Sequence, residues 1–124
     1  VNNPTVHTTA VFEDGLTIAD PTGLFTLNDT VEINEILPGK AYLVKGILMD
    51  KATGEALLVH GQPVESAVGF IAKAENEKVI VPFTFDLTGL NGREIVVFES
   101  LFRNDEELAN HRDINDQGQT VRVT

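Results

Sequence analysis

The sequence predicts an all-β protein, an antiparallel β-sandwich of immunoglobulin-like type. Three observations predict it. About seven to nine short runs show strand-like alternation or β-branched composition. Turn signals built from Gly, Pro, Asn and Asp separate them every ~8–12 residues. No run of helical periodicity is long enough to interpose a substantial helix. The 124 residues suit one core. No internal repeat or linker divides them, so residues 1–124 are read as a single domain.

Val6 to Phe12 is the first strand. Val6, Thr8, Ala10 and Phe12 share one face; His7, Thr9 and Val11 share the other. Glu13-Asp14-Gly15 and Asp20-Pro21-Thr22-Gly23 are turns. Thr30 to Ile36 reads as the next strand, stopped by Leu37-Pro38-Gly39-Lys40, whose Pro-Gly pair is a strong turn signal. Ala41 to Met49 is long, apolar and partly β-branched, as a central strand is. Asp50-Lys51-Ala52-Thr53-Gly54 is a polar hairpin loop, and Leu57 to His60 is its expected return strand.

Gly61-Gln62-Pro63 breaks the chain, and Val64 to Ala72 holds a short strand around Val68-Gly69-Phe70-Ile71. Lys73 to Glu77 is charged and expected at the surface. Val79, Val81, Phe83, Phe85 and Leu87 then alternate with Ile80, Pro82, Thr84 and Asp86. Pro82 lacks an N–H and marks an edge strand or a bulge. Thr88-Gly89-Leu90-Asn91-Gly92 is a turn. Glu94 to Arg103 is a strand with apolar residues on both faces. Asn104 to Asn110 is polar and reads as a loop or one helical turn. Thr120 to Thr124 is the last strand.

Lys and Arg number 9 against 19 Asp and Glu, a net charge of −10. That balance opposes binding to nucleic-acid phosphates and to anionic membrane surfaces. With no cysteine, disulfides and thiolate metal sites are excluded. No apolar run reaches membrane-spanning length, and the start is not signal-like. Val1 is not a natural initiator, so one repeat cut from a longer chain is expected, and a monomer.

Few residues suggest chemistry. Thr8 and Thr9 are explained by strand propensity alone. Thr8, however, shares its face with Val6, Ala10 and Phe12, and a buried hydroxyl needs a partner. Glu99 follows Ile95 and Val97 on a strand apolar on both sides. If buried without a cation, its carboxyl keeps its proton and becomes a donor. His111, Asp116 and Gln119 crowd an imidazole, a carboxylate and a carboxamide into nine residues.

Three ordinary sites fail on pattern. Asp113-x-Asn115-x-Gln117-Gly118 begins like a calcium loop, but the closing Glu position is Thr124 and no helix flanks it. His7, His60 and His111 lack the short spacing of a metal site, and no metal or cofactor is expected. A hydrolase with Thr8 as nucleophile and His111 as base has no nucleophile-elbow motif behind it.

In order along the chain stand Thr8-Thr9-Ala10, Asp29-Thr30-Val31, Leu37-Pro38-Gly39-Lys40-Ala41-Tyr42, Gly46 to Gly54, Phe83-Thr84-Phe85-Asp86, Val97-Phe98-Glu99 and His111 to Thr120. Each piece is weak alone; together they resemble the Thr–Gln ester-bond domain, or VaFE-repeat domain, of Gram-positive surface proteins. The resemblance covers nearly the whole chain and implies a CnaB-like sandwich. It implies that Thr8 is a nucleophile and Gln119 its acceptor in an intramolecular ester, with His111 as general base. It makes Glu99 and Asp116 a carboxyl pair polarising the amide. It further implies a stalk domain of a cell-wall-anchored extracellular adhesin. Sister repeats would be its partners, and the reaction would run once per molecule without turnover. The alternative is an immunoglobulin-like adhesive module for a host protein or glycan, though no aromatic-rich loop favours it.

Overall fold

The structure is a computed structural model that describes residues 3–124. Alternating β-branched and aromatic positions lay down twelve strands among the described residues. They are β1 Thr5–Phe12, β2 Ile18–Ala19, β3 Leu24–Asn34, β4 Ala41–Asp50, β5 Glu55–Ala56, β6 Leu58–Val59, β7 Gln62–Pro63, β8 Glu65–Ile71, β9 Glu77–Asp86, β10 Glu94–Arg103, β11 Glu106–His111 and β12 Thr120–Val123. One 3-10 turn, Gln117–Gln119, leads into β12.

Three strands form one sheet in the order β1-β3-β9, and the second runs β2-β12-β10-β4-β5, with β11 on β10 and β8 on β4. β6 and β7 make a separate ribbon. The pairings are antiparallel except for β12 with the short β2. The expected all-β sandwich is the observed one.

The two inner faces meet in a single hydrocarbon layer. Ala10, Phe12, Leu27, Val31, Ile33, Val81, Phe83 and Phe85 come from one sheet. Val44, Leu48, Ile95, Val97, Leu101, Val121 and Val123 come from the other. Burying a large apolar side chain contributes roughly 1.5–3 kcal/mol, so this layer holds the sheets together. Truncating Phe83, which is fully buried, would cost about 3–5 kcal/mol.

Several boundaries differ from expectation. β3 starts at Leu24 and ends at Asn34, not at Thr30 and Ile36. It is hydrogen-bonded to β1 on one side and β9 on the other, and that double ladder extends it through the polar residues Thr26, Asn28 and Asp29. The return strand after β4 is Glu55–Ala56, opposite Asp50 and Met49, not Leu57 to His60. Leu58–Val59 instead folds back on Gln62–Pro63, through His60 and Gly61, both at positive φ (52° and 78°).

Asn104 to Asn110, read as loop or helix, contains β11. Asn104 and Asp105 form a two-residue turn at φ 50° and 65°, joining the paired Arg103 and Glu106. Two consecutive positive φ values match the right-handed twist of a hairpin. β8 is longer than the four residues expected, and β2 was not foreseen. Pro82 does lie on an edge strand, since β9 pairs with β3 alone in its sheet.

Candidate functional site

Thr8 is the second inward position back from Phe12 along β1, after Ala10, and it is 1% exposed. It lies opposite Val31 of β3, while Asp29 lies opposite Ala10. Thr8 and Asp29 are therefore diagonal neighbours on one face, a spacing of about 7–8 Å. Asp29 is fully buried. From the facing sheet, β10 turns Val97 and Glu99 inward, and Glu99 is also fully buried.

β11 returns along β10 and places His111 opposite Glu99. The chain then rounds a corner made by its own acids. Asp113 Oδ1 accepts from Asn115 N at 3.0 Å. Asp116 Oδ1 accepts from Gly118 N at 2.9 Å, capping the 3-10 turn. The Asp116 carbonyl accepts from Gln119 N at 3.1 Å and from Thr120 Oγ1 at 2.7 Å. This corner drives Gln119 into the core, where it is fully buried. A Cβ placed on Gly118 would stand 4.0 Å from the Thr8 carbonyl oxygen, so the turn lies directly against β1.

Inside, Gln119 Nε2 donates to Val97 O at 3.0 Å and to Asp29 Oδ2 at 3.3 Å. These two bonds fix the carboxamide with its oxygen turned the other way. Thr8 Oγ1, Gln119 Oε1, Asp29 Oδ1 and both carboxyl oxygens of Glu99 are buried without a hydrogen-bond partner. They are the only such side-chain atoms among the described residues. Each unsatisfied group costs about 1–3 kcal/mol, and stable cores seldom hold them. All the orphans belong to four residues of one cluster.

Burial pushes the Glu99 carboxyl far above its ordinary range, and the neighbouring Asp29 carboxylate pushes it the same way. Burial raises Asp29 too, while contact with Glu99, Gln119 and His111 draws it back. Asp29 is thus the more acidic member. Two adjacent buried carboxyls cannot both ionise readily, so the pair titrates as a unit. At neutral pH Glu99 holds the proton and can donate a hydrogen bond.

At the rim, His111 Nε2 and Asp116 Oδ2 are 2.5 Å apart, each side chain 24% exposed. The hydrogen bond from His111 holds the Asp116 carboxyl below its usual range. His7 stands edge-on to His111, with ring centroids 6.3 Å apart. Thr8 Oγ1 is unpaired, so His111 does not hydrogen-bond to it.

The structure brings Thr8, Gln119 and Glu99 into one buried cluster with His111 at its edge. It corrects one expected pairing: the carboxyl beside Glu99 is that of Asp29, and Asp116 is turned outward to orient His111. A strand begun at Thr30, six residues after the observed start at Leu24, leaves Asp29 in the preceding loop, where an aspartate is unremarkable. With the strand started at Leu24, an aspartate alternating with Leu27, Val31 and Ile33 is a visible anomaly. Among the described residues no group of three His, Asp or Glu is disposed to hold a metal. Surface grooves of about 560 and 440 Å³ are lined by residues such as Leu24, His60 and Asp86, or Tyr42, Lys45 and Phe102. Neither includes a member of the cluster, whose Thr8, Asp29, Glu99 and Gln119 are buried.

A family model of T-Q ester bond containing domains matches residues 4–123. The chain belongs to that family. No curated protein matches the chain. Among solved structures, this T-Q domain is similar to a bacterial adhesin from Mobiluncus mulieris containing intramolecular disulfide, isopeptide and ester bond cross-links. The TM-score is 0.80 at 18% identity, over 98% of this chain and 57% of that one. A second crystal form of the adhesin gives the same score over 96% and 56%. The T-Q domain thus spans little more than half the adhesin chain. A glycosyl hydrolase family 2 member from Bacteroides cellulosilyticus shares the fold at a TM-score of 0.66 and 10% identity, over 90% of this chain and 15% of that one. At these identities the likeness is one of fold.

Proposed function

We propose that this T-Q domain is a structural unit of a surface adhesin, locked by an ester that it forms between Thr8 and Gln119. One observation carries the reading: the orphaned polar atoms of Thr8, Asp29, Glu99 and Gln119, gathered inside an otherwise apolar core. A nucleophile, an acyl acceptor and a shared-proton acid pair explain together what none explains as packing.

The Thr8 hydroxyl attacks the side-chain carbonyl carbon of Gln119. His111 takes the hydroxyl proton as general base, with Asp116 holding the imidazole through Nε2. Protonated Glu99 donates to the amide oxygen as negative charge develops on it. Asp29 already accepts from the amide nitrogen. As that nitrogen departs it receives, through Asp29, the proton that the acid pair shares, and the Thr8 proton held on His111 then restores the pair. The new bond is Oγ1–Cδ, the broken bond is Cδ–Nε2, and ammonia leaves. Holding the partners in place supplies on the order of 7–11 kcal/mol of the barrier reduction. The sealed core keeps water from reversing the reaction. The event happens once per molecule and needs no cofactor, so the domain is not a turnover enzyme.

The bond would close a loop of ~111 residues, which removes about 4–5 kcal/mol of entropy from the unfolded state. Tension entering at one end would leave at the other through the ester, bypassing the hydrocarbon core. That suits a stalk repeat between an adhesive tip and a Gram-positive cell wall, with sister domains as neighbours and a monomeric chain. The fold shared with a cross-linked adhesin supports this placement. Intact-mass measurement tests the proposal: the folded chain should be one ammonia lighter than its sequence. A full sequence mass would end it.

A further inference from the structure

Gly46 sits on the inner face of β4, directly opposite Glu99 of β10. The neighbouring inward positions are Val44 and Leu48, both fully buried. A third hydrocarbon side chain is what the layer would ordinarily hold there. Backbone geometry does not demand glycine, because Gly46 is absent from the positive-φ residues. Glycine within a strand weakens it and often marks the close approach of another group.

Space explains it. A Cβ built on Gly46 would stand 2.5 Å from Glu99 Oε1, 2.7 Å from Glu99 Oε2 and 2.6 Å from Phe83 Cζ. Both carboxyl oxygens therefore rest on bare backbone, and the Phe83 ring closes over them from the other sheet. We infer that Gly46 is a positioning residue for ester formation: its missing side chain is the notch in which the Glu99 acid is held. A methyl group there collides with both oxygens together. With the Phe83 ring blocking one direction, Glu99 must leave the position from which it meets Asp29 and the Gln119 amide. A displacement near 1 Å in such an arrangement slows reaction about a hundredfold.

The inference rests on the ester reading, and one experiment separates the two. The whole chain is prepared as wild type, Gly46→Ala, Gly46→Ala/Glu99→Asp and Gly46→Ala/Phe83→Leu, and intact mass is followed from isolation onward. Wild type should arrive one ammonia lighter; a wild type at full mass would sink the ester reading and this role together. Gly46→Ala should arrive folded at full sequence mass and convert about a hundredfold more slowly or worse. Glu99→Asp shortens the acid by one methylene, so the first double variant should convert faster than Gly46→Ala. Gly46→Ala already cross-linked on isolation, or no gain from Glu99→Asp, would overturn the assignment. Should Gly46→Ala fail to fold, thermal melts of the double variants decide. Recovery with Glu99→Asp supports the notch, and recovery only with Phe83→Leu overturns it in favour of ring packing.

Discussion

Asp29 Oδ2 accepts a 3.3 Å hydrogen bond from Gln119 Nε2, joining residues 90 positions apart in sequence. The bond sets a carboxylate against the nitrogen that leaves in the proposed reaction, and that carboxylate also neighbours Glu99, whose carboxyl it raises. Replacing Asp29 by Asn keeps the size and an acceptor oxygen but ends proton sharing with Glu99. Asp29→Asn should slow ester formation by about 10²–10⁴-fold, the usual range for a positioned proton donor. A time course of ammonia loss by intact mass would show it; full cross-linking on isolation would argue that Asp29 only packs.

Thr8→Ala removes the nucleophile and should leave the chain at its full sequence mass. Losing about 4–5 kcal/mol of loop restriction should lower the melting temperature by ~12–25 °C, given the usual entropy of unfolding for a domain of this size. Scanning calorimetry of the two forms is the direct comparison. Equal melting temperatures would mean the cross-link contributes nothing to stability.

The 2.5 Å contact between His111 and Asp116 orients the imidazole proposed as base, and Asp116 itself takes no part in the bonds made and broken. Asp116→Asn should leave the fold intact and reduce the rate by about 10²-fold or more, through loss of imidazole alignment. Glu99→Gln should have a similar or larger effect by a different route, because a neutral amide cannot share a proton with Asp29. A double variant whose loss equals that of one single variant would show that the groups work as one unit.

Before reaction, the cluster should make stability fall as pH rises. Glu99 ionises near 4.5 when unfolded and is held up to about 11 when folded, chiefly by burial; Asp29 is raised from 3.8. Below the unfolded values both states are protonated and there is no penalty. Above them the unfolded chain releases protons that the folded chain keeps, so stability is lost with increasing pH. The depressed acids Asp86, Asp116 and Glu107 act oppositely, but their stabilisation is lost only as pH falls below about 4–5. Urea midpoints of Thr8→Ala should therefore decline from pH 5 to 8, by at most about 1.4 kcal/mol per pH unit for each retained proton. Adding Glu99→Gln should flatten the curve; an unchanged slope would place the titration elsewhere.

Much of this arrangement could be read in the residues, for physical reasons. Alternation in Val6 to Phe12 put Thr8 on the apolar side because a strand repeats every two residues. Glu94 to Arg103 was placed at its observed limits because both of its faces are covered and both are apolar. Other features depended on tertiary pairing. β11 was hidden because its residues are mostly polar, and because Asn104-Asp105 takes two positive φ values without glycine. The alliance of Glu99 with Asp29, in place of Asp116, depended on which sheet faces which. Spacing along the chain carries no record of that. Gly46 looked like one more letter of a motif until its cross-strand partner was known.

The unpaired oxygens in the core mark a conflict between reacting and merely folding. Leucine or valine at positions 8, 29, 99 and 119 would relieve every one of these penalties and yield a sturdier sandwich at the outset, as hydrocarbon often does in place of buried polar groups. A descendant freed from making the linkage should drift that way. Greasy residues at these four sites would then be the fingerprint of a silent cousin, recognisable before any chemistry is done.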